Sequence, residues 1–135
     1  RTGRLVGAWL AGLLVWGLVA CRPLVQVSLA SGQEVLPAPR FVVEDPEFPE
    51  RPRYNTVQVV DRAGAVFWQL RAEPFGDQNS VGSLTYGEPL AGFAVVEPAR
   101  QLQPGGGYAL FVIGKNRGSL HFDVDANGRV NAVAP

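Results

Sequence analysis

Two regimes of hydrophobicity divide the chain. From Leu5 to Ala20 no charged residue interrupts an apolar run, and Arg1 and Arg4 stand before it. Beyond Cys21 the pattern changes to short stretches rich in Val, Phe, Leu and Tyr, separated by Gly, Pro, Asn and Asp. No window of a dozen residues there repeats apolar positions at helical spacing, so the pattern predicts strands. They fall at 24–29, 41–44, 56–60, 66–71, 92–96, 108–113, 119–124 and 129–133, with 83–86 a weaker candidate. Between the second and third lies Pro46-Glu47-Phe48-Pro49-Glu50-Arg51-Pro52, expected to be extended or polyproline-like because each proline fixes φ and lacks a donor.

Alternation within the runs assigns faces. Val66, Trp68 and Leu70 are expected on one face and Gln69 and Arg71 on the other, with Trp68 the largest core contributor of that strand. Val57 and Val59 match them across Asp61-Arg62-Ala63-Gly64, a connection with glycine where positive φ is expected. Seven or eight short strands in about 115 residues predict an all-β sandwich or small barrel. A domain of that size buries about two thirds of its unfolded surface, enough to stand without disulfides.

The amino-terminal run has a different purpose. As a helix its 16 residues would span about 24 Å, short of the ~30 Å hydrocarbon core. A basic start, a brief apolar stretch and small residues at its end describe a secretory signal peptide over residues 1–20. Leu18-Val19-Ala20-Cys21 resembles the lipobox of bacterial lipoproteins. That resemblance implies cleavage before Cys21 and diacylglycerol on its thiol, with palmitate or a similar chain often added to the new amino group. Two or three chains at ~0.8 kcal/mol per buried methylene hold a protein where one would not. An uncleaved anchor and an ordinary cleaved signal are the competing readings. Arg22, in place of an aspartate after the lipidated position, implies the outer membrane if the envelope is Gram-negative.

Charge and cysteine content narrow the chemistry. Twelve basic and twelve acidic side chains leave no global field to recruit nucleic acid. Cys21 is the only cysteine and His121 the only histidine, which excludes a disulfide framework and the usual zinc sets.

Leu102-Gln103-Pro104-Gly105-Gly106-Gly107-Tyr108, followed by Ala109-Leu110-Phe111-Val112, resembles the L-x-P-G-x-x-Y crossing of fibronectin type III domains. The resemblance implies an immunoglobulin/fibronectin III-like β-sandwich and a tyrosine corner, in which the Tyr108 hydroxyl bonds back to the corner backbone. Leu84-Thr85-Tyr86-Gly87, Pro89, Gly92-Phe93, Pro98-Ala99, Leu102 and Pro104-Gly105 also resemble small proteobacterial lipoproteins of uncharacterised activity, which implies a location and no mechanism.

Several motifs invite a chemical reading. Asp123, Asp125 and Asn127, followed by Gly128, have the oxygen spacing of a calcium loop, with Asn131 at its ninth position. Ala134 stands where the closing carboxylate belongs, and Ser119–Val124 alternates like a strand, so a hairpin with a type I′ turn at Asn127-Gly128 is expected instead. His121 shares a face with Ser119 and Asp123, but neighbours two apart on a strand are ~7 Å apart, too far for an orienting bond, and no G-x-S-x-G elbow is present. Gly105-Gly106-Gly107 lacks the lysine-serine pair of a phosphate cradle and is expected to be a flexible corner. Glu44, Asp45, Glu47 and Glu50 could form a glycosidase-type pair, yet on a proline-rich loop a solvated connection is expected.

Strand 108–113 is apolar on both faces, with Tyr108, Leu110 and Val112 on one and Ala109, Phe111 and Ile113 on the other. An outer sheet face is normally polar. Either the Pro-rich segment covers it, the favoured expectation, or Phe111 and Ile113 mark a binding patch.

The organisation expected is therefore a signal peptide (1–20), a lipidated amino terminus with the first strand (21–39), and a β-sandwich (40–135) that includes the Pro-rich loop 45–53. The function expected is that of a membrane-tethered envelope lipoprotein, non-catalytic and with no cofactor. Cys21 would hold it to the membrane on the periplasmic side, with an envelope protein as partner and no nucleic acid. The rival functions are a small periplasmic hydrolase and a calcium-stiffened adhesion module.

Overall fold

The computed structural model describes residues 24–32 and 34–135, and every regular element among them is a strand. The signal peptide, Cys21 and Arg22 lie outside the described residues. Three strands, β1 (Gln26–Leu29), β2 (Arg40–Glu44) and β7 (Ser83–Thr85), form one antiparallel sheet in the order β1-β2-β7. The larger sheet comprises β4 (Thr56–Asp61), β5 (Val66–Ala72), β8 (Phe93–Glu97), β9 (Gly107–Ile113), β10 (Arg117–Val124) and β11 (Val130–Val133). Its order is β11-β10-β9-β4-β5-β8, antiparallel throughout. Two-residue strands β3 (Arg53–Tyr54) and β6 (Gln78–Asn79) pair separately.

All eight expected strands are present, and so is the weaker one at 83–86, which supplies β7. With the weaker candidate and the two-residue β3 and β6, which are too short to show alternation, the described residues hold eleven strands against the expected seven or eight. The fold is the all-β sandwich that was expected. β1-β2-β7 facing β5-β4-β9-β10 is the immunoglobulin-like division, in which the first two strands and a later one cover the hairpins of the other sheet. β8 and β11 extend the larger sheet at its two edges. Because β1 pairs with β2 from Gln26 opposite Glu44 to Leu29 opposite Phe41, the first strand is part of the sandwich itself.

Alternate residues of each strand meet between the sheets. Phe41 and Val43 come from β2, Val57 and Val59 from β4, Trp68 and Leu70 from β5, Leu110 and Val112 from β9, and Phe122 and Val124 from β10. Aromatic rings run across this core. Phe41 lies 5.5 Å from Phe122, Phe122 5.6 Å from Tyr108, and Tyr108 5.2 Å edge-on to Phe67. Trp68, fully buried, takes the edge of Tyr86 at 5.2 Å.

One expected face assignment is corrected. The β4–β5 register slips between Val59 and Val60, so Trp68 stands opposite Val59 while Val66 stands opposite Val60. Val66 therefore leaves the core face that Trp68 and Leu70 share, and Phe67 is free to turn toward Tyr108. The Pro-rich segment also departs from a straight polyproline run. The Phe48 amide donates to the Asp45 carbonyl at 3.0 Å and the Glu47 amide to Asp45 Oδ1 at 3.0 Å, bending the chain as it leaves β2.

β1 is seated closely. The Val25 amide donates to the Arg117 carbonyl at 3.1 Å, and a Cβ on Gly118 would collide with the Val25 carbonyl oxygen. Gly118→Ala is expected to destabilise the domain by about 1–3 kcal/mol through overpacking against backbone that cannot yield. Urea unfolding, with the midpoint lowered and the slope unchanged, checks it.

Candidate functional site

Four regions hold the side chains that the sequence singles out. The first is the hairpin at 125–129. The Gly128 amide donates to the Asp125 carbonyl at 3.1 Å and the Asp125 amide to the Arg129 carbonyl at 2.9 Å. Asp125 Oδ1 accepts from the Asn127 amide at 2.9 Å and the Arg129 amide at 3.0 Å. The amide of Arg129, foremost, and that of Asn127 hold the Asp125 carboxyl below its ordinary pKa. Only Gly128 has positive φ here, so the expected type I′ turn is replaced by a three-residue connection closed by a left-handed glycine.

The same device closes β4 to β5. Gly64 donates to the Asp61 carbonyl at 3.0 Å and Asp61 to the Ala65 carbonyl at 2.9 Å. Asp61 Oδ1 accepts from the Ala63 and Ala65 amides at 3.0 and 2.8 Å. The aspartate-x-x-glycine pattern is thus a turn used twice, once where no calcium-like spacing exists. Asp123 sits within β10 opposite Gly107 and Asn131, with Val124 between it and the turn.

The second region is the free face of the larger sheet. Register puts Phe111 between Gln58 and Ser119, Ala109 between Val60 and His121, and Ile113 between Thr56 and Arg117. His121 presents its ring edge-on to Phe111 at 6.3 Å. No side-chain hydrogen bond reaches His121 from any described residue, so Ser119, His121 and Asp123 share a face without forming a relay. A shallow depression of about 410 Å³ opens here, lined in part by Val60, Arg62, Ala109, Phe111, His121 and Val133. Phe111 and Ile113 are half-buried by neighbours on their own sheet. The polar contacts of the Pro-rich segment, expected to cover them, lie at the β9–β10 turn.

Those contacts make the third region. Asp45 and Asn116 are both buried, and Asn116 Nδ2 donates to Asp45 Oδ1 at 3.2 Å and to Glu47 Oε2 at 2.8 Å. Glu47 Oε1 takes Lys115 Nζ at 2.6 Å, and Arg51 Nε reaches the Ser80 carbonyl at 3.4 Å. Asp77 accepts from Asn55 Nδ2 and from the Lys115 amide, each at 2.8 Å. The acidic residues of the loop thus hold it to the β9–β10 turn. Among the described residues no group of three or more His, Cys, Asp or Glu side chains is arranged to hold a metal ion.

The fourth region is the set of buried tyrosines. The Gln103 amide donates to the Tyr108 hydroxyl at 2.9 Å, which is the corner contact that the L-x-P-G-x-x-Y motif implied. Within the glycine corner Gly105 has left-handed φ and open space around it, while Gly106 and Gly107 lie against side chains. A Cβ at Gly106 would strike the Tyr108 hydroxyl, and one at Gly107 the Arg62 guanidinium. Two further clamps had no local signal in the sequence. Tyr86 donates to the Arg100 carbonyl at 2.6 Å and Tyr54 to the Val81 carbonyl at 2.9 Å. Burial, opposed by Ser80 and Arg51, pushes the Tyr54 pKa up to about 12. Burial, and then the neighbouring Tyr108, raise that of Tyr86 further against the pull of Arg100.

Compared with protein-family models, curated proteins and solved structures, the chain matches none.

Two outcomes follow from these sites. Calcium at millimolar concentration should leave the melting temperature of residues 21–135 unchanged, as followed by circular dichroism; an upward shift would restore the calcium reading. The folded domain keeps the Tyr54 and Tyr86 protons that an unfolded chain releases near pH ~10. Stability should therefore be full below that value and fall as pH rises toward ~12. Thermal melts across this range check it, and Tyr54→Phe and Tyr86→Phe should each flatten the decline.

Proposed function

We propose that the chain is the precursor of an envelope lipoprotein. In this reading it is cleaved before Cys21, held by acyl chains on that residue, and carries a non-catalytic β-sandwich that binds or supports an envelope partner. The observation that carries the reading is the position of the sole cysteine. It closes a charge-free apolar run, and four residues later Val25 begins a sandwich in which the buried hydrophobic side chains of the described residues run from Val25 to Val130.

The binding role draws support from the free face of the larger sheet. There Val60, Ala109, Phe111 and Val133 border a shallow depression with Arg62 and His121 at its margin. Phe111 and Ile113 are the residues we assign to that surface. An immunoglobulin-like sandwich hosts many roles, so the assignment rests on this face and not on the fold.

Intact-mass analysis of the membrane fraction tests the anchor. It should show a chain beginning at Cys21 and heavier than residues 21–135 by a diacylglycerol group and, where the amino group is acylated, a further acyl chain. Cys21→Ser should abolish both the added mass and the incorporation of labelled palmitate. A wild-type chain found with no added mass, or label retained in Cys21→Ser, rejects the proposal.

A further inference from the structure

Strand register gathers several unrelated features at one end of the sandwich. Arg117, Ile113, Thr56, Arg71 and Ala94 form a single rung across the larger sheet at that end. The chain enters the domain there, where Val25 is buried and bonded to Arg117. β2 leaves the smaller sheet at the same end, since its last residue, Glu44, stands opposite Gln26. The Pro-rich loop, the 73–82 connection and the β9–β10 turn all close over this rung. The two aspartate-glycine turns, at 61–65 and 125–129, mark the opposite end.

Covalent geometry then limits which end can meet a membrane. Cys21 precedes Val25 by four Cα–Cα steps, at most about 14 Å when fully extended. The eight residues of β10 run about 27 Å, so the turn at 125–129 lies well beyond that reach. An anchor on Cys21 therefore brings the Val25 end to the bilayer surface.

The chemistry of this end suits such a contact. Leu24 is 67% exposed, Phe75 63% and Val81 42%, three large apolar side chains at the end where the tether emerges, Phe75 with one ring face under the Arg71 guanidinium at 4.7 Å. Phe75 follows the end of β5, and Val81 is fixed by the Tyr54 hydroxyl and by the Gly82 carbonyl bonded to Val43. Arg51, Arg53, Lys115 and Arg117 share the end with Glu44, Glu50, Glu73 and Asp77, so mixed charge favours neither anionic nor neutral lipid.

We infer that the end of the sandwich bearing Leu24, Phe75 and Val81 is a membrane-contact surface, resting in the headgroup region of the leaflet that holds the Cys21 acyl chains. The inference rests on the lipoprotein reading for its anchor. The strands then run away from the bilayer, and the Phe111 face is left open to the side.

The test bypasses cellular lipidation, so that its failure is distinct from failure of that reading. Residues 21–135, which contain every buried hydrophobic side chain of the described residues, are coupled through the single thiol of Cys21 to vesicles of phosphatidylcholine containing a maleimide lipid. Trp68, buried, is the one tryptophan of this mature chain, and Phe75→Trp, Val81→Trp and Ala126→Trp add single reporters at exposed positions. Replacing the phosphatidylcholine by lipid brominated near the top of its acyl chains should quench the added emission of Phe75→Trp and Val81→Trp about twofold or more. Ala126→Trp should be unaffected, and anionic lipid should change none of the three. Equal quenching at all three positions, quenching at 126 alone, or none at 75 and 81 would overturn the inference.

Discussion

The sandwich depends on a run of aromatic rings that joins its two sheets. Phe41 belongs to the smaller sheet and meets Phe122 of the larger, which continues through Tyr108 to Phe67. Rings bury more apolar area than any aliphatic side chain, and tilted or edge-on pairs add about 0.5–1.5 kcal/mol each beyond that area. Tyr108 also serves the corner, where its hydroxyl takes the Gln103 amide while its ring stays in the core. One residue thus ties sheet packing to loop position. Tyr54 and Tyr86 repeat the arrangement, each with an apolar body inside and a hydroxyl spent on a distant carbonyl. Loops that would otherwise be loosely held become extensions of the core.

This economy bears on function. The polar groups best fixed in the structure are engaged in holding turns and loops: Asp61 and Asp125 in hairpins, Asp45 and Asn116 under the Pro-rich loop. Residues with the spacing of a calcium loop are accounted for by a turn that the chain builds a second time without that spacing. Two apolar surfaces remain: the half-buried Phe111 and Ile113 on one face, and the exposed Leu24, Phe75 and Val81 around the entry of the chain. Both suit contact with other molecules, and the proposed tether would hold them in different orientations to the bilayer.

Much of the fold was legible because it is local. Alternation in 56–60 and 66–71, with aspartate and glycine between, specifies a hairpin within sixteen residues. Leu102 to Tyr108 specifies a corner within seven. The errors share a cause as well. The slip opposite Val59 that turns Val66 out of the core depends on β4 and β5 together, and alternation along one strand is blind to it. The connection at Asn127-Gly128 differs from a type I′ turn because the Asp125 carboxylate, two residues upstream, stabilises another geometry. The Pro-rich loop is placed by Asn116, 71 residues away from Asp45. The Tyr54 clamp spans 27 residues. For the candidate surface, the sequence showed that strand 108–113 is apolar on both sides, but only the register shows which neighbours flank it.

β1, nearest the proposed anchor, pairs with β2 and follows a Val25 bonded to Arg117, so it belongs to the same cooperative unit as the core and a tether at Cys21 would hold the whole sandwich. Native-state hydrogen exchange tests this most directly. The amides of Val25 and Ala30, bonded to the carbonyls of Arg117 and Arg40, should exchange only through global unfolding, with the same opening free energy as Leu110 and Phe122 in the core. Exchange of Val25 and Ala30 through a separate opening of lower free energy, with Leu110 and Phe122 still protected, would contradict the account.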